Sequence, residues 1–94
     1  MTRSDIVTFL KNNKKLMQQR FGIRSIALAG SFARDEATRQ SDIDIIVDMP
    51  SSFHRFFSLK YFIEEHLGHT VDLGLEKKLR SFIKKQMQNE MIYV

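Results

Sequence analysis

Two acids one residue apart, Asp42 and Asp44, stand at the mouth of an apolar run that continues through Ile43, Ile45, Ile46 and Val47. A strand alternates its side chains, so a strand beginning at Asp42 projects both carboxylates from one face, ~7 Å apart at the backbone. Two like charges so placed ask for a cation. Upstream lies a small-residue turn, Gly30-Ser31. If that turn leads from a strand into a helix start, its free N–H groups make an anion site that a phosphate can approach closely over glycine. The Ser31 hydroxyl adds a donor. A divalent cation reconciles a phosphate cradle with neighbouring carboxylates, since magnesium takes one or two carboxylates together with phosphate oxygens and water. Asp72 is the one further acid in a strand-like run. A third carboxylate there would allow two ions ~3.5 to 4 Å apart, the clamp that serves in-line displacement at phosphorus.

Rival chemistries fail on the letters. No Gly-Lys-Ser/Thr follows Gly30, which refuses a Walker loop, and no third glycine follows for a dinucleotide turn. A calcium loop starting at Asp42 needs glycine where Val47 stands and glutamate where Phe53 stands. His54, His66 and His69 form no zinc pattern, and there is no cysteine to supply thiolate ligands or disulfides.

The elements that must position these residues follow from periodicity. Residues 3 to 20 are expected as a helix, with Thr2 as N-cap and Asp5 completing a capping box. Its apolar face would hold Ile6, Phe9, Leu10, Leu16, Met17 and Phe21, and Gly22 would stop it. Residues 23 to 29 are expected as a strand delivering the chain to Gly30. Residues 31 to 37 suit a turn or one to two turns of helix, and 38 to 41 a polar loop. Residues 42 to 47 form the acid-bearing strand, with Asp42, Asp44 and Ile46 on one face. Pro50 ends it, and Ser51 or Ser52 caps a helix to about Leu67, closed by Gly68. Residues 69 to 75 alternate as a strand that places Thr70, Asp72 and Gly74 on one face. Residues 77 to 90 suit a last helix with Leu79, Phe82, Ile83 and Met87 inward and its lysines outward. This order predicts an α/β (α+β) fold, one small mixed sheet packed with helices.

Composition bounds the function. A chain of 94 residues is expected as one domain, residues 1–94, and leaves no room for a separate substrate domain. The absence of cysteine and of any run of ~20 apolar residues makes the cytoplasm the expected location. A net charge of +4 suits an anionic ligand, whether nucleotide, nucleic acid or acidic protein face. Eight phenylalanines are more than a small sheet can hide, and an exposed subset would mark a protein interface.

Gly30-Ser31-Phe32-Ala33-Arg34, then Ser41-Asp42-Ile43-Asp44, then Asp72 in Val-Asp-Leu, together resemble the signature of the DNA polymerase β-type nucleotidyltransferase superfamily. Within it the chain resembles the minimal nucleotidyltransferases, the antitoxins of HEPN/MNT toxin–antitoxin systems. The resemblance implies a palm-like mixed sheet, magnesium held by Asp42, Asp44 and Asp72, and a triphosphate cradled at Gly30 and Ser31 with Arg34 beside it. It also implies Asp72 as general base and ATP as donor. The implied acceptor is a tyrosine hydroxyl on a partner HEPN-domain toxin, with which the chain would form a hetero-oligomer. A silent antitoxin that neutralises by binding alone is the alternative, as is nucleotidyl transfer to nucleic acid or a small molecule. One departure is Asp35, where many relatives carry glycine, which bears on the turn that holds Arg34. Arg39 could meet phosphate or acceptor, and Asp48 could support the acids; for each, plain surface solvation is the rival reading.

Overall fold

A computed structural model describes the backbone of all 94 residues and every side chain except that of Phe82. The first helix, α1 (Arg3–Phe21), starts at a capping box. The Asp5 N–H donates to Thr2 Oγ1 at 3.1 Å, and the Thr2 N–H donates to the Asp5 carboxylate at 2.9 Å. Two otherwise orphaned donors of the first turn are thereby satisfied. Gly22 closes the helix in the left-handed conformation, its N–H bonded to the Gln18 carbonyl.

Strand β1 (Ser25–Ala29) begins two residues later than the sequence suggests. Arg24 is held ahead of it by its backbone bond to the Asp48 carbonyl, 2.7 Å. β1 runs into a single helical turn, α2 (Gly30–Ala33), within the one to two turns expected but starting one residue earlier, at Gly30, and ending at Ala33. Strand β2 (Ile43–Asp48) is shifted one residue from expectation, because its far end pairs with Ser25 and Asp42 stops just short of the ladder. Helix α3 (Phe53–Leu67) is capped by Ser52, whose hydroxyl accepts from the Arg55 N–H, and Gly68 closes it. Strand β3 (Val71–Leu75) starts where Val71 meets Ile43, so His69 and Thr70 lie outside it.

The expected last helix is broken. A 3₁₀ turn at Glu76–Lys78 is followed by extended backbone at Leu79 and Arg80, and only then comes α4 (Ser81–Gln88). The break lets Leu79 turn onto the sheet, where it packs with Met87 against Ala27, Ala29, Ile46 and Met91. Ile83, expected inward, is 41% exposed, and so at 38% is Leu16 of α1. The inward placement expected of Phe82 lies outside the described residues. A short strand, β4 (Ile92–Tyr93), pairs antiparallel with β1 and was not anticipated, since two residues carry no alternation to detect.

The four strands form one mixed sheet in the order β3-β2-β1-β4. β1 is antiparallel to β2 and β4, while β2 and β3 run parallel, as the α3 crossover permits. This is the mixed, helix-packed sheet expected from the sequence. One face holds Ile26, Leu28, Ile43, Ile45, Val47, Val71 and Leu73, all buried under α1 and α3. Burial of that face is the main source of stability, at roughly 1.5–3 kcal/mol for each large apolar side chain. The alternation places Asp44, Ile46, Asp72 and Gly74 on the other face. There Leu79, Met87 and Met91 cover only the end around Ile46, and the acid end stays open.

Candidate active site

The backbone brings Asp44 between its two neighbours in the sheet. It stands opposite Ala29 across the antiparallel β1–β2 pair and directly beside Asp72 across the parallel β2–β3 pair. Gly30 follows Ala29 with φ +67, a conformation that L side chains rarely adopt. A β-carbon added there would strike the Asp44 carboxylate, with Asp44 Cγ only 2.9 Å away. Glycine is therefore required twice, for its backbone angle and for the space that Asp44 fills.

Phe32 and Ala33 anchor the single turn of α2 by burial, and the Phe32 ring meets the edge of His69 at 5.8 Å. Ser31 is half-buried, and among the described residues no hydrogen bond engages its hydroxyl. Asp35 takes φ 60 itself, so it holds the left-handed position that glycine would fill more freely. The turn the sequence put in question is thus made by an aspartate. Beyond it, Ser41 Oγ accepts from the Thr38 N–H at 2.9 Å, closing the loop that presents Asp42.

Asp44 is half-buried, whereas Asp42 and Asp72 are exposed. Burial pushes the Asp44 carboxyl above its ordinary pKa, the charges of Asp72 and Asp42 push it further, and Arg34 opposes them. Among the described residues no hydrogen bond or ion pair joins any of the three acids to a protein cation. The cluster therefore carries charge that the chain itself does not neutralise. Among the described residues, no three His, Cys, Asp or Glu side chains converge closely enough to enclose an ion. The three acids offer hard carboxylate oxygens on an open face, the donor type that magnesium takes together with substrate phosphates and water. At the start of β2 and β3 a cleft of about 610 Å³ adjoins Asp42, lined among others by Arg39, Ser41, Glu64 and His69.

The structure gathers Gly30, Ser31, Asp42, Asp44 and Asp72 at one end of the open sheet face. Arg34 is engaged differently from the sequence expectation. Its Nε donates to Glu36 at 3.1 Å and its Nη1 to Glu90 at 3.2 Å, and the Glu36 bond first, then the Glu90 bond, raise its pKa. The sequence did not reveal these acids as partners. Glu36 is a near neighbour, but Glu90 is 56 residues away and nothing local pairs the two. Asp48 sits on the acid face but is taken by Arg24 in a two-pronged bond at 2.9 and 3.1 Å.

Known proteins share the sequence pattern and the fold. A model of the nucleotidyltransferase domain matches residues 10–94. The chain is 38% identical over 96 residues to protein adenylyltransferase MntA of Thermococcus cleftensis, covering all of this chain and 97% of that protein. A solved structure provisionally described as a minimal nucleotidyltransferase superposes with a TM-score of 0.83 at 28% identity, over 98% of this chain and 95% of that one. Two solved toxin–antitoxin structures share the fold. One is the MntA–HpeT pair in a mutant with two aspartates, two positions apart, changed to glutamate; it has a TM-score of 0.66 at 19% identity, over 99% of this chain and 71% of that one. The other is with AMP-PNP and has a TM-score of 0.68 at 21% identity, over 99% of this chain and 72% of that one.

Proposed function

The chain belongs to the nucleotidyltransferase domain family, and on that footing we propose that it is a protein adenylyltransferase acting as the antitoxin of a toxin–antitoxin pair. It moves AMP from ATP to a hydroxyl on its partner, a tyrosine of a HEPN-domain toxin. The observation that carries this reading is the placement of Asp44, seated against Gly30 on one side and level with Asp72 on the other. A phosphate held at the N–H groups of the Gly30–Ser31 turn would lie beside the acids, with the space over Gly30 itself taken by the Asp44 carboxylate.

Support comes also from the relatives. The Thermococcus cleftensis protein is named a protein adenylyltransferase, and the toxin–antitoxin structures of this fold include one with AMP-PNP. In the mutant complex the two altered aspartates have the spacing of Asp42 and Asp44.

The roles are the ones that the family resemblance implies. Asp42, Asp44 and Asp72 would hold magnesium, which would neutralise triphosphate charge and ease deprotonation of the acceptor. Gly30 and Ser31 receive the phosphates through backbone N–H and hydroxyl donors. The acceptor oxygen attacks the α-phosphorus in line, its proton passes to the Asp72 carboxylate, and the bond to the β-phosphate oxygen breaks to release pyrophosphate. The resemblance implies Asp72 for that proton, and the structure leaves Asp72 exposed beside Asp44. The open face leaves room for an acceptor brought by another molecule.

The test is transfer of label from α-labelled ATP, with magnesium, to a co-expressed HEPN-domain partner. Label on a partner tyrosine is expected, and Asp42→Ala or Asp44→Ala should abolish it while the partner still binds. If the intact acids label no acceptor yet the partner is still neutralised, the chain works by binding alone.

A further inference from the structure

Glu64 makes two separate bonds in the link between α3 and β3. Its backbone carbonyl accepts from the Gly68 N–H at 2.8 Å and closes the helix. Its carboxylate reaches seven residues along the chain and accepts from the Val71 N–H at 3.0 Å. One residue therefore fixes both where the helix stops and where the strand starts, with Gly68, His69 and Thr70 looped between.

The second bond matters because of where β3 lies. It is an edge of the sheet, with β2 as its one neighbour. The Thr70 carbonyl points to β2 and accepts from the Ile43 N–H at 3.0 Å. Backbone groups alternate in direction along a strand, so those of Val71 point away from β2, where no strand meets them. Val71 is buried, and a buried donor without a partner is costly. Glu64 supplies the partner, and an ionised acceptor makes a stronger bond than a neutral one.

Asp72 comes next in the chain. It is the second residue of a five-residue edge strand. Its carboxylate is exposed, and among the described residues no ion pair holds it. Its place is set by the backbone alone, by pairing with Asp44 on the β2 side and by the Val71 bond at the strand's start. Without that bond the first residues of β3 are free to open, and Asp72 opens with them.

We propose that Glu64 is a positioning residue, which sets Asp72 level with Asp44 by holding the Val71 N–H. The consequence for catalysis rests on the transfer proposed above, whereas the hold on Asp72 does not. Glu64 also lines the cleft beside Asp42. A role there as a charge facing an ion or the acceptor would need an ionised carboxylate; the hold on Val71 needs an oxygen that accepts.

Two substitutions separate these roles. Glu64→Gln keeps an oxygen that can accept from Val71, and Glu64→Ala removes it. Hydrogen exchange on the full chain, followed by NMR, should show the Val71 amide exchanging ~10-fold or more faster in Glu64→Ala relative to the Ile45 amide of β2. The Asp72 resonances should shift in the same variant, and Glu64→Gln should stay close to wild type in both respects. For AMP transfer, kcat should fall ~10-fold or more in Glu64→Ala while KM for ATP changes by less than about threefold, and Glu64→Gln should restore most of the loss. Glu65→Ala, which removes the neighbouring exposed acid, should match wild type throughout. An unchanged Val71 exchange ratio, or full kcat in Glu64→Ala, overturns the proposal. So does a Glu64→Gln variant as impaired as Glu64→Ala, since charge and not the hydrogen bond would then be what matters. A wild-type chain that transfers nothing overturns the proposed function instead, and the exchange ratio and the Asp72 shift then decide the hold of Glu64 on Asp72.

Discussion

The Asp44 carboxylate occupies the space that a β-carbon on Gly30 would need. The turn and the central acid are therefore fitted to each other, and neither can be changed alone without disturbing the other. Gly30→Ala must give up a φ of +67 and also push Asp44 aside, so it should cost about 2 kcal/mol or more in stability and lose nucleotidyl transfer. Gly68→Ala is the control. Gly68 has φ +63 but nothing within 4 Å of its added carbon, so only the backbone cost of roughly 1 kcal/mol remains. Thermal unfolding of both variants measures the difference. Combining Gly30→Ala with Asp44→Ala should return part of the lost stability, because the steric conflict disappears.

Asp44 should show activity and stability moving apart. Its charge is disfavoured by burial and by Asp72 and Asp42, and no hydrogen bond among the described residues compensates it. Asp44→Asn keeps the shape and removes the charge. The melting temperature should stay level or rise, while kcat for transfer should fall by ~10²-fold or more. A variant that melts well below wild type would mean the carboxylate holds the fold together and is not held there by it.

Much of this site is legible in the letters because its parts lie in short, strongly patterned segments. The alternation around Ile43, Ile45 and Val47 fixes the face of Asp44, and Val71 and Leu73 do the same for Asp72. What alternation cannot state is register, so the side-by-side pairing of Asp44 with Asp72 needed the structure. Nor could it show that Asp44 fills the space over Gly30, since that contact crosses two strands. The last quarter of the chain was the least legible. Leu79, Met87 and the lysines between them have helical spacing, yet packing of Leu79 beside Ile46 breaks the helix at Arg80. Tertiary contact overrode local pattern there. The same applies to Arg34, whose partner Glu90 lies 56 residues off.

Tyr93 ties the unanticipated strand β4 to the turn after β3. Its hydroxyl donates to Glu76 at 2.6 Å, and that bond first, then burial and the Glu76 charge, push its pKa up to about 12. A raised acid pKa means that the folded state holds the proton more tightly than the unfolded state. The stabilisation is therefore full below the ordinary tyrosine value and is lost as pH rises through about 12. An ultraviolet titration should therefore show a late-ionising tyrosine, and Tyr93→Phe should remove that late step. The same variant should lose about 1 kcal/mol or less, since the bond is partly exposed.

Arg34 offers a way to separate nucleotide binding from chemistry. It is held by Glu36 and Glu90, and its side chain is 40% exposed. Such surface pairs are worth about 0–1 kcal/mol each, so an incoming triphosphate with several charges can compete for the guanidinium. The Arg34 charge already reaches Asp44, whose ionised form it favours. If Arg34 turns toward the phosphates, Glu90→Gln should free it and lower KM for ATP by a few-fold with kcat unchanged. Arg34→Ala should raise KM, and in that background Glu90→Gln should have no further effect. Steady-state kinetics on the four combinations decide the matter. Equal KM in all four would leave Arg34 as a clamp between α2 and the end of α4, with no part in nucleotide binding.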